Sequence, residues 1–411
     1  MTDANPTAAA QGTKALPGRK LGQEFEPLAP ETFTSAHDVH RQMRATCPVA
    51  HSEEWGGFWG VFKYDDVVAV LKDSATYTTS VQNVVPKFAF TGRRPPLHFD
   101  PPEHTAYRRV INRFFTEEKM AKLEPKVRSD TIDVLQPLID AGRADIAVDF
   151  AQKLPAFVFA NFFNLPRELS VLIKEVSAAY VAAIQIVDDE TVKRLSRRLY
   201  EIAEEVIAQR RADPMPAEDD LTSALIASEY EGAPLPAEYV LGCVRQLLVT
   251  GMVAPSVFIG NMFVHLAQDQ AMQDRLRAHP ALLDSAIEEY LRLYTPYRGM
   301  SRTARHDVEI RGRKILKDEP IALVYSSANR DETVFENPDD FVLDRANINR
   351  HIGFGAGPHN CPGAPLARMM FKISLEQALA RTTRWELDGE IKMARWAEWG
   401  TNSVPLKFTA A

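Results

Sequence analysis

The segment Phe354-Gly-Ala-Gly-Pro-His-Asn-Cys-Pro-Gly363 places one cysteine among three glycines. A helical pattern starts at Ala364-Pro-Leu-Ala-Arg368, directly after Cys361. The free amides and dipole of a helix start favour a thiolate over a thiol. The glycines let the backbone pass close to a flat partner, and His359 can reach an acidic group on that partner. The segment therefore predicts a nucleophile or metal ligand, against the alternative of a structural cysteine in a glycine-rich turn.

The composition excludes several classes of protein. With 411 residues and 45% hydrophobic residues, the chain can bury a large core without disulfides. A net charge of −7 argues against nucleic-acid binding. The apolar runs fall short of the roughly 18 residues that span a bilayer, and the N-terminus lacks a signal-peptide pattern. Three scattered cysteines (Cys47, Cys243 and Cys361) argue against a disulfide framework or structural zinc. We expect a cytoplasmic protein with no nucleic-acid or membrane partner.

Periodicity indicates mainly helix with a minor β part. Residues 1–30 are expected to form a mobile arm, and residues 31–411 a single domain. Apolar residues at three- and four-residue spacing predict long helices over 120–139, 169–184, 192–211 and 239–267. A strand turning into a helix is expected from Trp59, and a hairpin in residues 307–324. One more helix and a short β tail should follow Cys361.

The pattern FGxGxHxCxG is matched at every fixed position of residues 354–363. It resembles the heme-binding loop of the cytochromes P-450, and the resemblance runs from about residue 35 to the C-terminus. It implies a bacterial, soluble, class I type monooxygenase, folded as a triangular helical prism with small β-sheets around heme b. Cys361 would ligate the iron, with Phe354 and Gly355 in the cofactor loop. Thiolate ligation pushes electron density onto iron and favours O–O cleavage.

The segment Glu289-Tyr-Leu-Arg292 resembles a second motif of that family. Its carboxylate and guanidinium lie at i, i+3 on one helix face and can pair. This spacing is common on surface helices, but here it stands where the family keeps its ExxR motif. Arg345 resembles the third partner of that pair. The resemblance implies a structural role for Glu289, Arg292 and Arg345 in locking the core around the thiolate.

Four side chains match the family's partners for the heme propionates, which need cations or donors. His104 and Arg108 lie at i, i+4 in Asp100-Pro-Pro-Glu-His104-Thr-Ala-Tyr-Arg108. Arg302 and His359 complete the set. Any one of them taken alone could be a solvated surface charge. The resemblance implies that all four bind the heme propionates.

The central helix departs from the family pattern. An acid and an alcohol normally stand side by side there to deliver protons to dioxygen, whereas this chain has Val253 and Ala254, followed by Pro255. Proline in mid-helix should kink or widen the helix. Three interpretations stay open. Protons could be delivered through water, the backbone carbonyls near Pro255, the hydroxyl of Thr250 or Ser256, or the substrate itself. The protein could instead be a peroxide-driven enzyme or a non-catalytic heme-binding protein. Ala254 counts against the second, because fatty-acid peroxygenases carry arginine at that position.

Two short segments of the sequence suggest a subgroup of the family and a class of substrate. The helix segment around Pro255 and the tail Trp396-Ala-Glu-Trp399-Gly400 are similar to the bacterial guaiacol O-demethylase cytochromes P-450. This similarity implies hydroxylation or oxidative O-dealkylation of a small, aromatic substrate. The resemblance places eight residues around the pocket, for which core packing is the alternative: Phe88, Phe90, Tyr180, Val249, Met252, Thr295, Tyr297 and Trp399. Arg93 and Arg94 could hold a substrate carboxylate, although solvated loop charges are the simpler expectation.

Electrons must come from outside the chain, because it has no flavin- or nicotinamide-binding segment. The resemblance implies a ferredoxin or other external reductase, and a fused reductase beyond this sequence is the alternative. Arg108, Arg109, Arg113 and Lys119 could form a basic docking face, or an ordinary solvated helix face.

Overall fold

The computed structural model describes residues 21–87 and 92–411. Its helices are α1 (Glu31–Thr34), α2 (Ala36–Thr46), α3 (Tyr64–Lys72), α4 (Glu103–Asn112), α5 (Glu117–Asp140), α6 (Leu154–Phe162), α7 (Arg167–Gln185), α8 (Asp189–Ala212), α9 (Leu221–Ile226), α10 (Ala237–Val249), α11 (Ala254–Gln268), α12 (Gln270–Ala278), α13 (Leu283–Leu293), α14 (Tyr325–Ala328) and α15 (Ala364–Arg381). Its strands are β1 (Val49–Ser52), β2 (Phe58–Val61), β3 (Tyr77–Thr78), β4 (Arg143–Asp145), β5 (Glu229–Tyr230), β6 (Ala233–Pro234), β7 (Met300–Ala304), β8 (Val308–Ile310), β9 (Arg313–Ile315), β10 (Pro320–Leu323), β11 (Thr382–Leu387), β12 (Lys392–Met393), β13 (Thr401–Ser403) and β14 (Pro405–Ala410). The prediction of a mainly helical chain with a minor β part is confirmed.

Three of the four long predicted helices are continuous. They are α5, α7 and α8, and each exceeds its predicted range by a few residues. Side chains at two N-termini explain where these helices begin: Thr116 accepts a hydrogen bond from the Lys119 amide, and Asp188 accepts one from the Thr191 amide. The fourth predicted helix, 239–267, is wrong as a continuous element. It is divided into α10 and α11.

Small sheets flank the helices. The largest has the strand order β1-β2-β10-β7-β3, with β10 parallel to β2 and the other pairs antiparallel. The expected strand-to-helix turn after Trp59 is β2 followed by α3, and the expected hairpin is β8 with β9. The C-terminal tail forms β14, which pairs with β11 and β4. This sheet closes the chain against the helical core.

The main hydrophobic core surrounds α11. Phe258 and Phe263 on that helix are fully buried, and they pack against Phe371 of α15 and Trp385 of β11. Because α15 follows directly after Cys361, this packing fixes the direction in which the cysteine loop leaves the core.

Part of the expected N-terminal arm belongs to the folded structure. Phe25 is 3% exposed and packs edge-on against Phe62, with ring centroids 5.0 Å apart. Glu24 also binds Arg313 at 2.7 Å. Residues 21–30 are therefore packed against the domain, and residues 1–20 lie outside the described part of the chain.

One apolar stretch, Ala237–Gln268, is long enough by length and composition to cross a membrane. Its most apolar window is 61% buried inside the protein. A buried core helix passes the same test, and this stretch comprises α10 and α11.

Candidate active site

The cysteine loop is held between α3 and α15. The Cys361 amide donates to the Phe354 carbonyl at 2.9 Å, which closes the loop on itself. Gly357 has a φ of +70°, and a Cβ at this position would collide with the Leu71 carbonyl of α3. Glycine is needed here for both the backbone angle and the close approach. The loop is therefore fixed to α3 while Cys361 stays at the start of α15.

Burial and the neighbouring polar groups have opposite effects on the pKa of Cys361. Burial raises the pKa of the Cys361 thiol, whereas the amides of Gly363 and Ala364 and the charges of Arg108 and Arg368 lower it. A metal cation at the sulfur acts in the same direction as those amides and arginines, since a coordinating thiol gives up its proton. The site is suited to a metal-bound thiolate.

A buried ion network lies behind the loop. Arg292 donates to both carboxylate oxygens of Glu289, at 2.8 and 2.7 Å, and Arg345 donates to the same carboxylate at 3.0 Å. The pairing predicted from the i, i+3 spacing is confirmed. Burial alone would raise the pKa of Glu289, but these hydrogen bonds lower it overall. Arg292 also donates to the carbonyls of Asn329 and Pro338, so the network ties α13 to the segment before the loop.

The four expected propionate partners come together. His104 and His359 meet edge to face, with ring centroids 4.4 Å apart. Burial, together with His359, Arg108 and Arg302, lowers the pKa of His104 to about 3, so all four groups share one region. His104 Nε2 is buried without a hydrogen-bond partner, and Arg302 is 5% exposed. Arg302 donates through Nη1 to the Ser301 carbonyl at 2.8 Å, whereas His104 Nε2 has no partner among the described residues and so needs one from outside them.

Arg108 has a second task in the structure. Its guanidinium donates to the Asn360 carbonyl at 2.7 Å and to Asn360 Oδ1 at 3.0 Å. Asn360 directly precedes Cys361, so Arg108 braces the cysteine loop from α4.

Asp100 is a site residue that the sequence interpretation missed. It accepts hydrogen bonds from Thr78 and from Arg305, the latter at 2.6 Å, and lies 3.8 Å from His359 Nε2. Burial alone would raise the pKa of Asp100, but nearby His359 and the hydrogen bond from Thr78 lower it to about 2. The carboxylate therefore holds His359 in place. Its only signal in the sequence is its position before Pro101-Pro102.

These residues fit an iron porphyrin. Cys361 offers a thiolate ligand, and His104, Arg302 and His359 offer buried cationic or donor groups for two acidic side arms. When bound, the heme supplies activation of dioxygen. The protein's own part is to hold the sulfur and orient the ring.

The helix across the site from Cys361 is broken. Thr250 has an extended backbone, and Gly251 has a φ of +88°, where a Cβ would collide with the Phe159 ring. Pro255 was expected in mid-helix, which is wrong: it lies in the first turn of α11, where a missing amide costs nothing. α10 and α11 are therefore two separate helices and not one kinked helix.

A lysine from α7 occupies the break. Lys174 is 8% exposed, and its Nζ donates to the Met252 carbonyl at 2.9 Å and to Ser256 Oγ at 3.1 Å. Ser256 Oγ donates to the same carbonyl at 2.8 Å. Burial lowers the pKa of Lys174 to about 8. The sequence interpretation named Ser256 but not Lys174, although this lysine falls on the buried face of α7 with Ile173 and Ser177.

A cavity of about 90 Å³ adjoins this break. Among its lining residues are Lys174, Ser256, Val253 and Glu398. Burial raises the pKa of Glu398, and Gln185 Nε2 donates to that carboxyl at 3.1 Å. The lining of the cavity is part polar and part apolar, and a space of this size has room for a few water molecules, at roughly 30 Å³ each. Thr250 is placed differently, because its hydroxyl donates back to the Gln246 carbonyl at 2.7 Å.

The expected pocket residues fall into three groups. Phe88 and Phe90 lie outside the described residues. Tyr180 lies on α7, Val249 lies at the end of α10, and Met252 lies in the break that follows. Tyr297 lies near Cys361: its pKa is raised by burial first, then by the charge of Glu398 and then by that of Cys361. Arg94 is 5% exposed, so the expectation of a solvated loop charge is wrong for this residue.

Thr295 and Trp399 have structural contacts instead. Thr295 is fully buried and donates to the Leu291 carbonyl at 2.6 Å, and Asn329 donates to it at 2.6 Å. The Trp399 ring packs on His37 at 4.3 Å and is parallel to Tyr294 at 6.0 Å. Their roles in a substrate pocket stay predictions.

The basic residues of α4 and α5 are only partly free for a partner. Arg109 and Arg113 are exposed, and both line a surface groove of about 640 Å³. Lys119 binds Asp219 at 3.0 Å, and Arg108 binds the cysteine loop.

Comparison with known proteins assigns the family. The cytochrome P-450 family model matches residues 178–394. Cytochrome P-450 109 of Bacillus spizizenii is 32% identical over 372 residues, which are 89% of this chain and 87% of the relative. Erythromycin C-12 hydroxylase of Saccharopolyspora erythraea is 33% identical over 366 residues, which are 85% of this chain and 89% of the relative. The solved structure of cytochrome P-450 CYP109Q5 from Chondromyces apiculatus superposes with a TM-score of 0.82 at 28% identity, covering 93% of this chain and 97% of that one.

The chain therefore belongs to the cytochrome P-450 family. It is a heme b monooxygenase, and its fold is that of the family.

Proposed function

We propose that this monooxygenase oxidatively O-dealkylates a small aromatic ether with electrons from a ferredoxin or similar external reductase. One atom of dioxygen enters the alkoxy carbon, and the other leaves as water with two external electrons and two protons. The hemiacetal so formed breaks into a phenol and an aldehyde. The local similarity of the broken helix and the Trp396–Gly400 tail to guaiacol O-demethylases supports this substrate class.

The observation that carries the proposal is the Lys174–Ser256 pair at the break. A monooxygenase must bring protons to the oxygen side of its heme, and Val253 and Ala254 cannot do so. Lys174 Nζ donates to Ser256 Oγ at 3.1 Å, and both residues line the cavity beside the break. With a pKa of about 8, Lys174 can give up and regain a proton near neutral pH. We assign proton delivery to this pair and the water that fills the cavity.

The exposed Arg109 and Arg113 support an external partner with acidic side chains, although Glu229 and Glu231 line the same groove. Docking there would bring the partner to α4, which contacts the cysteine loop through Arg108.

The test is formaldehyde release from methoxyarenes such as guaiacol and 4-methoxytoluene. The holoenzyme is supplied either with ferredoxin, ferredoxin reductase and NADH, or with hydrogen peroxide alone. We expect release with the electron donors and little with peroxide. Turnover with peroxide alone would instead identify a peroxide-driven enzyme, and a panel of bound methoxyarenes that is never demethylated would contradict O-dealkylation.

A further inference from the structure

The cavity beside the break contains an acid as well as a base. Of the described residues that line it, Lys174 and Glu398 are the two with titratable side chains. Lys174 belongs to α7, and Glu398 belongs to the segment between β12 and β13. The cavity measures about 90 Å³, which is room for a few water molecules. A short chain of water can therefore connect the carboxyl group with the ammonium group.

The same cavity leads from the buried break towards the protein surface. Ser256 and Lys174 are 4% and 8% exposed, whereas Ala182 and Asn402 line the same space and are exposed. Glu398 is half-buried. Protons from solvent can therefore enter this space and meet Glu398 on its wall.

The carboxyl group of Glu398 is held in a fixed place. Gln185 of α7 donates its Nε2 to the carboxyl at 3.1 Å, and Arg298 donates its Nε to the main-chain carbonyl of Glu398 at 3.1 Å. Tyr297 pairs with Glu398 in an isolated antiparallel bridge. Because Gln185 is a neutral amide, its hydrogen bond is compatible with both the ionised and the protonated carboxyl.

The electrostatic surroundings favour proton exchange between the two groups. Burial raises the pKa of Glu398, with Gln185 and Arg298 acting in the opposite direction, and burial lowers the pKa of Lys174 to about 8. These opposite shifts bring the two pKa values closer together, which makes transfer in either direction easier. Burial lowers the pKa of Arg298 to about 9 and raises that of Tyr297, so near neutral pH Arg298 stays charged and Tyr297 stays neutral.

We propose that Glu398 recharges Lys174 with protons from solvent, through water in the cavity that both residues line. In each transfer the O–H bond of the Glu398 carboxyl breaks, the proton passes along the water, and an N–H bond forms on the neutral amine of Lys174. The carboxylate of Glu398 then takes a proton from solvent. This inference rests on the proposed function, since it extends the proton path of the Lys174–Ser256 pair to the surface.

The first test compares Glu398→Gln with the wild-type holoenzyme, supplied with ferredoxin, ferredoxin reductase, NADH and 4-methoxytoluene. Glutamine keeps the shape and still accepts from Gln185, but it has no acidic proton. We expect a several-fold larger ratio of released hydrogen peroxide to oxidised arene and a larger solvent isotope effect in heavy water. The dissociation constant of 4-methoxytoluene should not change.

Two further variants separate the acid from the shape of the side chain. Glu398→Asp keeps a carboxyl group and should recover most of the coupling between electron consumption and product. Glu390→Gln is the matched control, because it removes an exposed glutamate from the segment before β12, and it should behave as the wild type.

The order of the two groups in the path is tested by combining substitutions. If Glu398 acts through Lys174, the double variant Glu398→Gln, Lys174→Met should be no less coupled than the worse of the two single variants. Uncoupling that accumulates in the double variant would place Glu398 outside this path.

Infrared difference spectra of the resting holoenzyme give a reading that does not depend on turnover. At neutral pH the wild type should have the C=O band of a protonated carboxyl group, and Glu398→Gln should lack it, because burial favours the neutral form of Glu398. Absence of this band in the wild type would overturn the inference. So would unchanged coupling in Glu398→Gln, or a loss in Glu398→Asp as large as in Glu398→Gln.

Failure of the inference is distinct from failure of the proposed function. If Lys174→Met and Ser256→Ala uncouple the enzyme but Glu398→Gln does not, the inference fails and the Lys174–Ser256 pair stands. If 4-methoxytoluene is hydroxylated on its methyl group and never demethylated, O-dealkylation fails, while the effect of Glu398→Gln on coupling still tests the inference.

Discussion

Lys174 of α7 donates its Nζ to the main-chain carbonyl of Met252, 2.9 Å away, inside the break of the central helix. Residues 78 positions apart in sequence are joined in this way. The contact satisfies a carbonyl in the turn between α10 and α11, and it places a lysine beside Ser256 in that break.

This contact predicts a specific pH dependence of stability. Burial lowers the folded-state pKa of Lys174 from 10.5 to about 8, so between these values the unfolded chain binds more protons than the folded one. The free energy of unfolding of the wild type, relative to Lys174→Met, should therefore rise from pH 8 to pH 10.5, by about 3 kcal/mol at most. Urea unfolding of both proteins across this range measures the difference. A constant difference would show that Lys174 has no lowered pKa, and Lys126→Met, at an exposed position, is the control.

Ser256→Ala should uncouple electron consumption from product formation. The substitution removes the hydroxyl that accepts from Lys174 at the wall of the cavity, and slow proton delivery diverts electrons to released hydrogen peroxide. We expect a several-fold larger ratio of peroxide to product at similar substrate affinity. Ser374→Ala is the matched control, because Ser374 likewise donates to a carbonyl four residues earlier, at 2.7 Å, but on α15. Unchanged coupling in Ser256→Ala would remove this hydroxyl from the proton path.

Cys361→Ala should abolish the red-shifted Soret band of the reduced carbon monoxide complex. The band reports a thiolate ligand to iron, and Cys361 is the cysteine at the start of α15. Cys243→Ala should keep the band, because Cys243 is buried in the hydrophobic cluster around α8 and α10. A red-shifted band in Cys361→Ala would place the ligand elsewhere.

Glu289→Gln should destabilise the protein by about 3–5 kcal/mol, because it leaves Arg292 and Arg345 buried without their carboxylate. The midpoint of urea unfolding and the yield of heme-loaded protein both report the loss. Asp284→Asn removes an exposed carboxylate from the same helix, paired with Lys372 at 2.7 Å, and should change stability by less than about 1 kcal/mol. Similar small effects of both substitutions would contradict a structural role for Glu289.

His104→Phe should weaken heme retention without weakening the fold. His104 Nε2 has no acceptor or donor within the described protein, so its replacement removes an unsatisfied buried group. We expect heme transfer to apomyoglobin to be about tenfold faster, with unchanged or higher stability of the heme-free protein. His279→Phe, at an exposed position, should leave the transfer rate unchanged. An unaltered rate in His104→Phe would exclude His104 as a propionate partner.

The sequence predicted the cysteine side of the site better than the opposite side. Phe354–Gly363 and Glu289–Arg292 are short segments in which the interacting groups lie within ten residues, so their spacing defines the geometry. The contact of Lys174 with Met252 joins segments 78 residues apart, and spacing alone does not reveal it. Its signal is a single cation on the buried face of α7, beside Ile173.

The continuous helix over 239–267 was wrong for a related reason. Apolar periodicity continues through the break, because the residues on both sides pack against the core. Gly251 and Pro255 do mark the interruption, but the sequence does not specify whether proline kinks a helix or starts a new one.

The division of the central helix also changes the electric field around the site. An unbroken helix has its ends far from its middle, whereas here the carbonyl end of α10 and the amide end of α11 meet at one place. Lys174 binds the carbonyl of Met252 in the turn between the two helices, so its charge lies beside the partial positive charge of the α11 start. The space beside Ala254 therefore favours negative charge, and the backbone amides at the start of α11 contribute to this preference. Replacing Val253 or Ala254 with another neutral side chain would leave that preference in place.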